Sequence, residues 1–215
     1  MNEDFIEAQY DITKKTKIKK FYEKNKSLIY IFIFLTILTI FSSVYYLENK
    51  ESKRVSLSDD YMQAQIYINE GEKNKAKILL EKIIYKNDST YSSLSLFTLL
   101  SEDLVTDNNK INNFFDHLLK NNKFEKEMEN LIIFKKLLTQ FDNLQESELL
   151  NISKPILSSD SVWKPHVLLL FGDYFMSKEE YAKASEFYKK TLSTKGANQE
   201  FYDQAKKKLR KISND

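Results

Sequence analysis

The chain has 215 residues, 42% of them hydrophobic and 30% charged, the balance of a folded protein rather than a disordered one. Its formal charge of +2 excludes the broad basic surface that nucleic-acid binding needs, and the absence of cysteine excludes disulfides, thiolate metal sites and a lipid-modified N-terminal cysteine. Three glycines and two prolines are too few turn formers for a sheet, a barrel or an α/β fold, so the chain is expected to be all-α.

Residues 1–27 read as a basic segment. From Ile12 to Lys26 it carries Lys14, Lys15, Lys17, Lys19, Lys20, Lys24 and Lys26, with Glu23 the lone acid. Residues 28–47 follow with no charge between Lys26 and Glu48, and thirteen of these twenty are Leu, Ile, Phe or Val. As a helix they reach about 30 Å, the thickness of a bilayer's hydrocarbon core. Their insertion is favourable by on the order of 5 kcal/mol before the small costs of Thr36, Thr39, Ser42 and Ser43. Tyr30 at one end, and Tyr45 and Tyr46 at the other, suit the interfacial aromatic belt. Neither a buried core helix nor a cleaved signal peptide, with its apolar region of about 7–15 residues, matches a run this long. Seven basic residues precede the span and three follow it (Lys50, Lys53 and Arg54), so the positive-inside rule places the N terminus in the cytoplasm and everything after Leu47 outside it. The basic segment suits anionic lipid headgroups.

Residues 48–55 are expected to be a juxtamembrane linker, and 56–215 a helical domain. Amphipathic periodicity with polar breaks predicts helices near 56–70, 72–86, 90–105, 109–120, 124–140, 145–157, 163–177, 179–194 and 198–212. Gly71, Asp107-Asn108-Asn109 and Asn121-Asn122-Lys123 mark breaks, and Pro165 fits a first helical turn. Leu131-Ile-Ile-Phe134 and Leu137-Leu138 are expected in the core. The last helix has Ala205, Leu209 and Ile212 on one face and Lys206, Lys207, Lys208, Arg210 and Lys211 largely on the other, as a solvating cap would.

The spacing Leu168-x-x-Phe171-Gly172-x-x-Phe175, then Tyr181-x-x-Ala184-x-x-x-Tyr188-x-x-Thr191-Leu192, matches the tetratricopeptide pattern over about 165–198. Gly172 and Ala184 are small where two helix backbones would meet, and Phe175, Tyr181 and Tyr188 are expected to fill the space beside them. Thr191 replaces the usual Ala, and Gly196 stands where a proline often ends the repeat. A second copy, Ala64-x-x-Tyr67 followed by Ala76-x-x-x-Leu80-x-x-Ile83-Ile84, covers about 57–90. One hairpin cannot bury its apolar face alone, so the expected architecture is a single transmembrane helix followed by a tetratricopeptide-like α-solenoid.

No enzyme is expected. His117 and His166 share no metal-ligand spacing, no HExxH or paired-carboxylate signature occurs, and three isolated glycines make no phosphate-binding loop. No cofactor, metal or small-molecule substrate is expected, and Trp163, at a helix start beside Pro165, reads as a packing anchor.

Three passages carry a resemblance to a known family: Asp4-Phe5-Ile6-Glu7 leading through the lysines to Phe21-Tyr22-Glu23-Lys24-Asn25; the span ending in Tyr45-Tyr46-Leu47; and Val162-Trp163-Lys164-Pro165 ahead of the Phe171-Gly172 and Tyr181-x-x-Ala184 repeat. Together they resemble the YfgM-like ancillary subunits of the bacterial Sec translocon. The resemblance implies an inner-membrane protein whose periplasmic domain associates with translocon subunits and a membrane-anchored periplasmic chaperone in handling newly exported clients. In tetratricopeptide stacks the first helix of each pair builds the concave face. That implies partner contacts at Tyr61, Gln65, Ile68 and Asn69, and at His166, Leu169, Asp173 and Met176, where charge reversal of Gln65 and Asp173 is expected to weaken capture without loss of stability. One alternative is a scaffold for cell-envelope or division machinery, against which the absence of a heptad seam after Leu47 argues; the other is an enzyme or small-ligand binder with an unfamiliar site, which saturable binding of a small molecule would favour.

Overall fold

A computed structural model describes residues 3–194 and 198–214 of the chain, so Gly196 lies outside the described residues. Among the described residues the regular elements are all helices. They are α1 (Glu3–Asn69), α2 (Lys73–Ile84), α3 (Tyr91–Ser101), α4 (Asn108–Asn121), α5 (Lys126–Gln140), α6 (Glu146–Leu157), α7 (Lys164–Ser177), α8 (Tyr181–Ser193) and α9 (Gln199–Asn214). The chain divides into two compact units, Met1–Ser56 and Leu57–Asp215.

The first unit is helical throughout its described length. Its apolar stretch is unburied among the described residues, and Phe32, Phe41 and Tyr45 are 71–72% exposed. A core helix of a soluble protein would hide such side chains, each worth about 1.5–3 kcal/mol on burial. This is therefore one helix long and apolar enough to cross a membrane, with a bare apolar surface. Three of its hydroxyls turn back onto their own helix: Thr36 donates to the Phe32 carbonyl (2.6 Å), Thr39 to that of Thr36 (2.7 Å) and Ser43 to that of Thr39 (2.8 Å). Such groups need no outside partner in hydrocarbon. The expected linker 48–55 is itself helical, within α1. Glu48-Asn-Lys-Glu-Ser-Lys-Arg-Val55 contains neither Gly nor Pro, so nothing in it stops a helix.

In the second unit the extensive contacts run between sequence neighbours, α2 with α3 and so on to α8 with α9, joined by α7 with α9. The hydrophobic interior has two parts. Ala64, Ala76, Leu80, Leu96, Phe114 and Phe115 anchor the part near the start of the unit, and Leu137, Ile156, Phe171, Phe175, Ala184 and Tyr188 the part near its end. Helix ends are set by local chemistry. Asp107 caps α4 by accepting from the backbone N–H groups of Asn109 (2.9 Å) and Lys110 (3.2 Å), and Gln145 and Glu148 form a capping box at α6. The unit makes left-handed turns at Gly71 (φ 78°), but also at Asn87 (57°), Asp103 (50°) and Glu179 (60°), which is how so few glycines suffice. The turn at Asp103 ends α3 at Ser101, short of the expected residue 105.

Two apolar residues depart from expectation. Tyr181 is 45% exposed rather than filling the α7–α8 contact, because it opens α8 at the first helical position, beyond the close approach. Leu138 is 44% exposed although Leu137 is fully buried, since consecutive helical residues point about 100° apart. Lys136, in the same stretch, is buried instead and donates to Asp116 of α4 (2.6 Å), a pairing that compensates its charge.

Candidate functional site

The closest helix packing is in the α7–α8 hairpin. A methyl group on Gly172 would lie at or within 2.8 Å of three ring carbons of Tyr188, so only glycine admits that ring. The Tyr188 hydroxyl donates to Asp173 (2.7 Å), and Lys208 of α9 donates to the same carboxylate oxygen. Burial and the neighbouring Asp173 carboxylate raise the Tyr188 phenol well above the usual tyrosine range. Gly172, Tyr188, Asp173 and Lys208 thus lock three helices together.

The residues expected to contact partners are placed unequally. Asn69 and Asp173 are exposed; Tyr61, Gln65, Ile68, His166 and Met176 are half-buried. Leu169 is only 6% exposed, packed in the interior, and is not available to a partner because the helices beside α7 cover it. Tyr61 (3.0 Å) and Gln65 (3.5 Å) both meet the Thr98 hydroxyl of α3. Asp173 is accessible yet committed to Tyr188 and Lys208. Charge reversal at Asp173 would remove both hydrogen bonds, so a loss of stability is expected alongside any effect on partner capture.

His166 lies among rings: Phe201 at 4.3 Å between centroids, Trp163 at 4.9 Å and Phe134 at 5.3 Å. Burial there lowers its pKa, partly opposed by the Val162 backbone and by Glu200. Trp163 stacks on Phe134 (5.6 Å) and donates its indole N–H to the Glu127 carbonyl (3.1 Å), while the Glu127 side chain receives the Ser161 hydroxyl (2.8 Å) and the Val162 N–H (3.2 Å). The indole therefore anchors the α6–α7 connection to α5. His117 is held at both ring nitrogens, by Asn87 (2.8 Å) and Asn121 (3.1 Å).

Two open grooves score the surface of the second unit. The larger, about 550 Å³, lies among α6, α7 and α8, lined by Leu150, Leu157 and Phe187 together with Lys164 and Lys190. Lys164 donates to the Ser159 carbonyl (3.2 Å), and Lys190 pairs with Glu186 (2.6 Å). The other, about 390 Å³, lies between α3 and the start of α5, lined by Leu94, Phe97, Phe124 and Met128. Sequence reading missed both, because each is assembled from parts of several elements and no local signal marks it. Either could receive apolar side chains. No group of three or more His, Cys, Asp or Glu placed to hold a metal ion occurs among the described residues.

Among the described residues the chain is all-helical, with one candidate membrane-spanning helix near its N terminus. No protein-family model, curated protein or solved structure matches it.

Proposed function

We propose that this chain is a membrane-anchored protein-interaction scaffold whose second unit is a tetratricopeptide-like solenoid. The observation that carries this is the succession of helices packed on their sequence neighbours, with open apolar grooves left on the surface, one among α6, α7 and α8 and one between α3 and the start of α5. The intimate Gly172–Tyr188 contact, the buried Ala184, and the buried Ala64 and Ala76 at corresponding places upstream support two repeat units. The lysines before the span support a cytoplasmic N terminus and an exported, periplasmic second unit at the bacterial inner membrane. The resemblance to YfgM-like proteins supports a translocon accessory that works with a membrane-anchored chaperone on newly exported clients. Photocrosslinking in intact membranes from groove positions such as Leu94 and Leu157 tests it. Recovery of translocon subunits or exported clients supports the reading. Recovery of wall-synthesis or division proteins instead moves the scaffold to the cell envelope, and no crosslinked protein from either groove removes both.

A further inference from the structure

The outward face of α9 plays no part in packing. Phe201, Ala205, Leu209 and Ile212 of this helix join the hydrophobic interior. At about 100° per residue, Lys206, Lys207, Arg210 and Lys211 fall on the opposite arc, and all four are exposed. Among the described residues these four form no ion pair with the acids of α9. Asp203 accepts from the Gln199 amide (3.0 Å) and Glu200 from the Gln204 amide (3.1 Å), and the described ion pair of this helix is Lys208 with Asp173. Beside the four cations stands Tyr202, 40% exposed, with the Lys206 ammonium 5.8 Å from its ring centre.

We propose that this face of α9 rests on an anionic phospholipid surface. The proposal builds on the membrane-anchored reading above. Four exposed cations along one helix face make an extended charged array that requires no shape match, which suits fluid headgroups better than a folded acidic partner. Tyr202 adds the amphipathic ring that sits well at headgroup depth. A span in the same chain keeps a lipid surface at high effective concentration, so modest intrinsic affinity suffices. Each basic side chain near such a surface shifts the contact equilibrium roughly fivefold, so four together shift it by several hundredfold.

The test uses the full chain in lipid nanodiscs, where both faces of the bilayer are accessible. The chain has no cysteine, so Ser213→Cys gives a single site for a fluorophore, with a headgroup-attached nitroxide lipid as quencher. Discs of phosphatidylcholine alone are compared with discs containing phosphatidylglycerol. Quenching should be at least several-fold stronger in anionic discs. It should disappear in about 1 M salt, where screening acts within about 3 Å, and in the K206Q/K207Q/R210Q/K211Q variant, whose changes lie at exposed positions and should leave the circular dichroism spectrum intact. Equal quenching in neutral and anionic discs, with the chain inserted, overturns the proposal, as does full quenching in the quadruple variant. A chain that elutes free of the discs overturns the anchoring reading itself, and the proposal with it.

Discussion

The Gly172→Ala substitution tests the packing logic of the α7–α8 hairpin most sharply. In an ordinary helix interior the change would stabilise by about 0.8–1 kcal/mol, since alanine is the better helix former. Here the new methyl meets the Tyr188 ring. That ring is 1% exposed and its hydroxyl is held by Asp173 at 2.7 Å, so it has little room to withdraw. Overpacking costs about 1–3 kcal/mol, and three ring carbons this close to the new methyl put the cost in the upper part of that range, so with the propensity gain subtracted a net loss of about 1–2 kcal/mol is expected. For a chain of this size that lowers the melting temperature by roughly 2–4 °C per kcal/mol. The lone tryptophan, Trp163, lies at the start of α7 and reports unfolding of this region by its fluorescence in denaturant titrations of the micelle-held chain. The double variant with Tyr188→Leu removes the obstructing ring, so its total loss should fall short of the sum of the two single losses by about 1 kcal/mol. A Gly172→Ala chain as stable as the parent, or additive losses in the double variant, would refute the close-approach argument.

Three further outcomes follow from the same geometry. The Tyr188 phenol is raised by burial and by Asp173, so the folded chain keeps its proton where the unfolded chain loses it. Its contribution to stability is whole below about pH 10 and declines above it, and Tyr188→Phe should flatten that alkaline decline in pH-dependent unfolding curves. His166 is lowered by burial, so its contribution is whole above about pH 6.5 and is lost as acid protonates it; its NMR titration should fall below the ordinary histidine midpoint, and His166→Gln should remove that part of the acid limb. Glu179 holds a left-handed conformation (φ 60°) that carries a steric penalty for any residue with a Cβ, so Glu179→Gly should stabilise by about 0.5–1 kcal/mol in thermal melts.

Much of the helix order is legible in the chain itself, because apolar spacing and polar breaks are local signals. Residues 73–84, 126–140 and 164–177 are helical within a few positions of expectation. What the pattern could not supply depends on neighbours far away in sequence. The burial of Lys136 requires Asp116 from another helix, and Leu169 and Leu138 exchange their expected environments according to which helices lie alongside. The turns at Asn87, Asp103 and Glu179 are hidden because a left-handed residue other than glycine leaves little trace in composition. Asp173 illustrates the difficulty for the site: its exposure invites a partner, while its two hydrogen bonds, to residues 15 and 35 positions away, serve the fold. Likewise the α6–α8 groove draws on residues from Leu150 to Thr194, which no motif unites.

The most direct measurement of the central claim is single-cysteine accessibility in intact bacterial spheroplasts, made simple by the absence of native cysteine. Glu23→Cys and Lys126→Cys bracket the apolar run, and both positions are outside the hydrophobic interior. If residues 28–47 cross the bilayer with the N terminus inside, a membrane-impermeant maleimide labels position 126 at once and position 23 only after lysis. Labelling of position 23 in intact spheroplasts, or of neither position until lysis, would contradict it.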